Sequence, residues 1–114
     1  MDTIGGNITA TFQVKSTQKN LIGEREKTWV DACQLTGWLD LQSGDSTTTF
    51  NAKIQESTHI FMCDYTNLNG ITADNSRVVI GGDTYEIKLI DNPMELNEHL
   101  EIYLKYIGGG LGVK

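Results

Sequence analysis

Arg77-Val78-Val79-Ile80-Gly81-Gly82-Asp83-Thr84-Tyr85-Glu86-Ile87-Lys88-Leu89-Ile90 reads as two strands and the turn that joins them. Tyr85, Ile87 and Leu89 alternate with Glu86 and Lys88, and a period of two sends alternate side chains to opposite faces of a sheet. Gly81-Gly82 supplies two residues that reach positive φ without steric cost, as a tight hairpin turn requires. A break follows at Asp91-Asn92-Pro93, where Pro93 has no N–H to give to a ladder. Alternation then resumes in Glu98-His99-Leu100-Glu101-Ile102-Tyr103-Leu104-Lys105-Tyr106, with Leu100, Ile102, Leu104 and Tyr106 opposite Glu101, Tyr103 and Lys105. The stretch predicts a β-meander, and the remainder of the chain is expected to pack against it.

Upstream, Ile8, Ala10, Phe12 and Val14 share one face of an alternating run that ends at Lys15. Leu21-Ile22-Gly23-Glu24 reads as a loop. Residues 26–31, with Trp29 and Val30, form one predicted strand and residues 35–42 another, with Leu35, Leu39 and Leu41 on one face. Gly37 inside that second strand marks a kink, a bulge or close approach by another backbone. Thr58-His59-Ile60-Phe61-Met62-Cys63-Asp64-Tyr65 is again strand-like, and Asn67-Leu68-Asn69-Gly70 is a turn. The terminal strands, residues 8–15 and 98–106, are each available as sheet edges on which a neighbour could dock.

Between the two middle strands lies the least strand-like part of the chain, Ser43-Gly44-Asp45-Ser46-Thr47-Thr48-Thr49-Phe50-Asn51-Ala52-Lys53-Ile54-Gln55-Glu56-Ser57. Connections longer than about 12–15 residues are uncommon in small domains and tend to carry function. Phe50 and Ile54, four apart, fit one short helical turn. In all, six to seven short, mostly antiparallel strands and no long helix predict an all-β fold, a small barrel or sandwich. Residues 1–114 make one domain, with residues 108–114 expected to be a flexible glycine-rich tail.

The formal charge of −6 argues against a free-standing, nonspecific nucleic-acid binder, which needs cationic contacts to phosphate. No run approaches the ~20 apolar residues that span a bilayer, and the N-terminus shows no secretory pattern, so a cytoplasmic product is expected. In that compartment Cys33 and Cys63 are expected to stay reduced and partly buried.

The sequence offers little to catalysis. His59 and Cys63 would share a helix face, but in a strand four residues span about 13 Å at ~3.3 Å each, too far for one ion. No phosphate-binding glycine motif precedes a helix, and no Gly-x-Ser-x-Gly elbow is present. No enzyme, cofactor or metal is expected.

The meander at residues 77–104, the Trp29-Val30-Asp31 segment before a strand, the strand ending at the long loop, and Thr58-His59-Ile60 opening the next strand together resemble the head-closure family of tailed bacteriophages. These are also called stopper or head–tail joining proteins. The resemblance covers residues 27–106 in the family's order. The chain departs from it at Cys63-Asp64-Tyr65, where the family often carries a basic residue, and in the glycine-rich tail.

The resemblance implies a small β-barrel that assembles into a ring, commonly dodecameric, at the virion neck. Its implied partners are further copies of itself, the adaptor protein on the portal, a tail-completion protein, and the double-stranded DNA that passes through the channel without sequence-specific binding. Assembly would take place in the bacterial host cytoplasm, away from membranes. The loop between the middle strands, carried over as residues 43–57, would project into the channel and help retain packaged DNA. Within it the channel residues would be Ser43, Gly44, Asp45, Ser46, Thr47, Thr48, Thr49, Phe50, Asn51, Ala52 and Lys53. A tail terminator or other tail-completion ring protein, and a monomeric β-barrel binding module, are the alternative readings.

Overall fold

A computed structural model describes residues 3–19, 21–41 and 57–109. They form six strands, β1 (Ile8–Lys19), β2 (Arg25–Leu41), β3 (His59–Asp64), β4 (Ser76–Ile80), β5 (Asp83–Asp91) and β6 (His99–Gly109), with a short 3-10 turn at Pro93–Glu95. All neighbours are antiparallel, and the sheet closes on itself in the order β1-β2-β3-β6-β5-β4. The fold is the all-β barrel that the alternation predicts.

Closure corrects one expectation. β1 lies between β2 and β4, and β6 lies between β3 and β5, so neither terminal strand is a free edge of the sheet. A closed barrel satisfies the ladder groups that an open sheet would expose.

The inward set follows the period of two. Ala10 and Phe12 of β1, Phe61 and Cys63 of β3, Val78 and Ile80 of β4, Tyr85 and Ile87 of β5, and Leu100, Ile102 and Leu104 of β6 are all buried. Phe12 and Phe61 meet edge to face at 6.4 Å between ring centroids, an arrangement that suits the ring quadrupoles. Large side chains therefore fill the barrel, as expected for so few strands.

Three bulges explain where simple alternation misleads. Phe12 pairs with Cys33 but Gln13 pairs with Asp31, which leaves Ala32 as the extra residue on β2. That residue changes the phase of the strand between Val30 and Leu35. The two out-of-phase segments predicted as separate strands are consequently one strand of 17 residues. Lys88 is the extra residue on β5, since Ile87 pairs with Leu104 and Leu89 with Tyr103. Beyond it Ile90, and not Leu89, packs against the core. Ile107 is the third, between Tyr106 and Gly108 on β6, and is 55% exposed.

Leu41, grouped with Leu35 and Leu39 by alternation, is 81% exposed at the barrel rim, while the other two pack on the core. Gly37 resolves to close approach. A Cβ there would collide with the Met62 carbonyl and the Phe61 ring, and Gly6 lies against its other side. β6 runs through Gly108 and Gly109, which pair with Thr84 and Asp83.

Candidate assembly surfaces

The predicted channel residues, Ser43, Gly44, Asp45, Ser46, Thr47, Thr48, Thr49, Phe50, Asn51, Ala52 and Lys53, lie outside the described residues. Their anchors are described. The chain leaves at Leu41 and returns at His59, and these two residues are paired across the β2–β3 ladder. The return limb is pinned just before β3. Thr58 N donates to the Leu104 carbonyl at 2.8 Å, and Tyr106 N donates to Thr58 Oγ1 at 2.7 Å. Ser57 beside it is buried. Behind these anchors His59 meets Tyr85 at 5.2 Å and Tyr85 meets Tyr106 at 5.7 Å, both edge to face. Burial, reinforced by Asp83 and Tyr106, raises the Tyr85 pKa above its usual value, so that ring stays neutral. An aromatic rim thus stands where the excursion begins and ends.

Strand direction sorts the connections. The end of β2 and the start of β3, at Leu41 and His59, and the Gly81-Gly82 turn between β4 and β5 lie at one end of the barrel. At the other end lie the β1–β2 turn, the β3–β4 connection and the β5–β6 connection.

That second end carries a feature the sequence did not announce as a unit. β1 pairs with β4 only from Thr11 to Val14, and β2 pairs with β3 only from Gly37 onward, whereas the β1–β2 ladder runs out to Lys19 and Arg25. The last part of the hairpin leaves the barrel as a two-stranded arm. Its turn exposes Leu21 at 106% and Ile22 at 77% of their reference areas. Two adjacent aliphatic residues in a predicted loop were the available signal, because exposed apolar side chains at a protrusion gain most by docking.

Where the arm leaves the barrel, Arg77 stacks over Trp29 at 4.4 Å and Lys15 lies 5.6 Å from the same ring. Arg77 Nε also donates to Gln13 Oε1 at 2.7 Å, and Gln13 Nε2 donates to Asp31 Oδ1 at 2.8 Å. At the same end, in the β5–β6 connection, Met94, Glu95 and Asn97 all take left-handed φ, between 53° and 57°. Asn92 holds this turn by accepting from Asn97 N at 3.1 Å and donating to Asn97 Oδ1 at 2.7 Å, and it leaves Met94 and Leu96 exposed.

A further surface is built on the N-terminal segment. Asp64 accepts from Ile4 N at 2.7 Å and Gly5 N at 3.2 Å, and Trp38 Nε1 donates to the Ile4 carbonyl at 2.8 Å. Asp64 lies where the chain departs from the head-closure resemblance. Here a carboxylate fits because its partners are two backbone donors.

Chemistry for catalysis is thin. Among the described residues no cluster of three His, Cys, Asp or Glu side chains suits a metal, and no helix is long and apolar enough to cross a membrane. Cys33 and Cys63 are free. Burial, with Asp64 and Cys33 adding to it, pushes the Cys63 thiol up to about 11, so it is protonated and unreactive at neutral pH.

The sequence model of one family, described as phage head completion protein, matches residues 1–105 and so takes in β1 to β5 and β6 as far as Lys105. The chain belongs to the phage head completion protein family. Membership gives it a role in head closure, in the head–tail region of the virion and in contact with other head or tail proteins. The family is structural. Among curated proteins nothing matches. Among solved structures, the solution structure of a protein from Shigella flexneri 2a is similar with a TM-score of 0.70 at 20% identity, covering 100% of both chains. At that identity the likeness speaks for the fold of this head completion protein and for nothing finer.

Proposed function

We propose that this head completion protein closes the filled head as a homo-oligomeric, dodecameric ring between the portal adaptor and the tail, with residues 43–53 facing the channel and helping to retain DNA. The observation that carries the reading is the family match over residues 1–105, in a barrel whose longest connection leaves and re-enters through paired neighbouring strands. Such a connection is tethered at a narrow base, so its middle can reach an axis while the barrel remains folded.

Two further features support a ring over a monomeric binding module. The barrel interior is occupied by Phe12, Phe61, Val78, Ile102 and Leu104, which take the space where a ligand-binding barrel holds its ligand. Aliphatic and aromatic side chains are instead exposed at protrusions on the outside, where assembly partners meet. The net charge of −6 per copy suits a channel through which DNA slides, since few phosphate contacts form and few counterions are released.

The test is deletion of residues 47–51 in the phage. Assembled heads should incorporate the shortened protein and then lose DNA, measured as the fraction of empty particles. Heads that retain DNA as wild type does would remove the channel role. A ring found one level lower in the tail would favour the tail-terminator reading.

A further inference from the structure

The ring reading leaves open how copies hold one another. We infer that the β1–β2 arm of each copy docks in the elbow of a second copy of this chain, and that this head-to-tail contact, resting on the ring reading, is what links the ring.

The elbow is the groove of about 320 Å³ where the arm leaves the barrel, lined by Lys15, Trp29, Asp74, Arg77, Glu86 and Ile107. It offers apolar surface in Trp29, 36% exposed, and in Ile107, 55% exposed. The arm turn offers the matching element in Leu21 and Ile22. Charge fits in the same direction. Lys15 and Arg77 are engaged on the Trp29 ring, and Arg77 also on Gln13. Among the charged side chains of the elbow the carboxylate of Asp74 is exposed and can meet a cation, and the arm carries the exposed Arg25 next to its apolar turn.

Geometry makes the contact intermolecular and directional. Seven positions separate the elbow at Lys15 from the turn at Ile22, about 23 Å at ~3.3 Å per residue. A chain cannot seat its own turn in its own elbow over that distance along a straight two-stranded ladder. Turn and elbow are different patches, so the contact is heterologous and propagates from copy to copy until rotation closes it. Bulged Ile107, set outward by the irregular register of β6, has a use in this arrangement.

The experiment adds purified chain to filled, tailless heads that lack it and counts ring-bearing heads by imaging. Circular dichroism checks that each variant folds. Wild type should form rings. The variant carrying Leu21→Asp and Ile22→Asp should lower ring occupancy about tenfold or more, because both apolar anchors are lost. Arg25→Asp and Asp74→Arg should each lower occupancy, and a chain carrying both should recover it, which only direct pairing between copies explains. If the folded Leu21→Asp, Ile22→Asp variant forms rings as wild type does, the arm contact is overturned while the ring reading stands. If the combined charge exchange fails to recover occupancy, the arm-to-elbow pairing is overturned. If wild type itself forms no ring, the ring reading falls and takes this contact with it.

Discussion

At Gly37 the backbones of β2 and β3 approach closely, because the space that a Cβ would fill is already taken by the Met62 carbonyl, the Phe61 ring and the Cys63 Cβ. Gly37→Ala should cost about 1–3 kcal/mol through overpacking, read as a lower denaturant midpoint with unchanged slope. Its position mid-strand was legible in the sequence as an irregularity, but which irregularity was not, since the colliding groups come from residues 24 or more positions away. Asp64 was less legible still. Nothing local distinguishes it from a solvated carboxylate until the backbone donors of Ile4 and Gly5 are placed on it.

Titration of Cys63 is also set by the fold. Its thiol has an ordinary value of 9.0 and is pushed up to about 11 by burial, while Tyr103, raised by burial and by Glu101, reaches about 12 from 10.0. Both groups are held neutral when folded and ionise more readily when unfolded. Over this range the unfolded chain binds fewer protons, so stability is intact below pH 9 and declines as pH rises toward 11 and 12. Urea midpoints at pH 8 and pH 10.5 should show the drop, and Cys63→Ala should flatten the part between 9 and 11.

Among the elements, β6 lies between β3 and β5 and sends Leu100, Ile102 and Leu104 into the core. Ile102→Ala should cost about 2–5 kcal/mol, most of it from the cavity left behind. The outer arm behaves oppositely. Its residues beyond Lys15 and Trp29 pair only with each other, and those whose burial is described add nothing to the core. A lone two-stranded ribbon is marginal by itself, so replacing residues 17–27 with a two-residue turn should change stability by no more than about 1 kcal/mol. Amide exchange should be faster in the arm than in β5 and β6.

Alternation made the barrel strands readable, because burial on one face imposes a period of two. It failed at Ala32, Lys88 and Ile107, where a bulge shifts the phase and a local pattern cannot show which residue is extra. The arm stayed hidden for a different reason. Its sequence is polar and carries no alternating apolar set, so only the pairing register reveals that two strands continue past the barrel.

At the scale of the whole molecule, the excursion and the arm emerge at opposite ends of β2, whose 17 residues run nearly the length of a particle with principal extents of 51 × 32 × 24 Å. One end would thus address the channel and the other the neighbouring copy. The fold class and family were legible, since both rest on the order of strands. The contacts between copies were not, because they join residues far apart in sequence and on different chains. Imaging of the phage neck at a resolution that traces strands tests this most directly. A closed ring of these barrels is expected around the DNA axis, with residues 43–53 directed inward. Barrels absent from the neck, or a neck ring whose residues 43–53 face away from the channel, would contradict it.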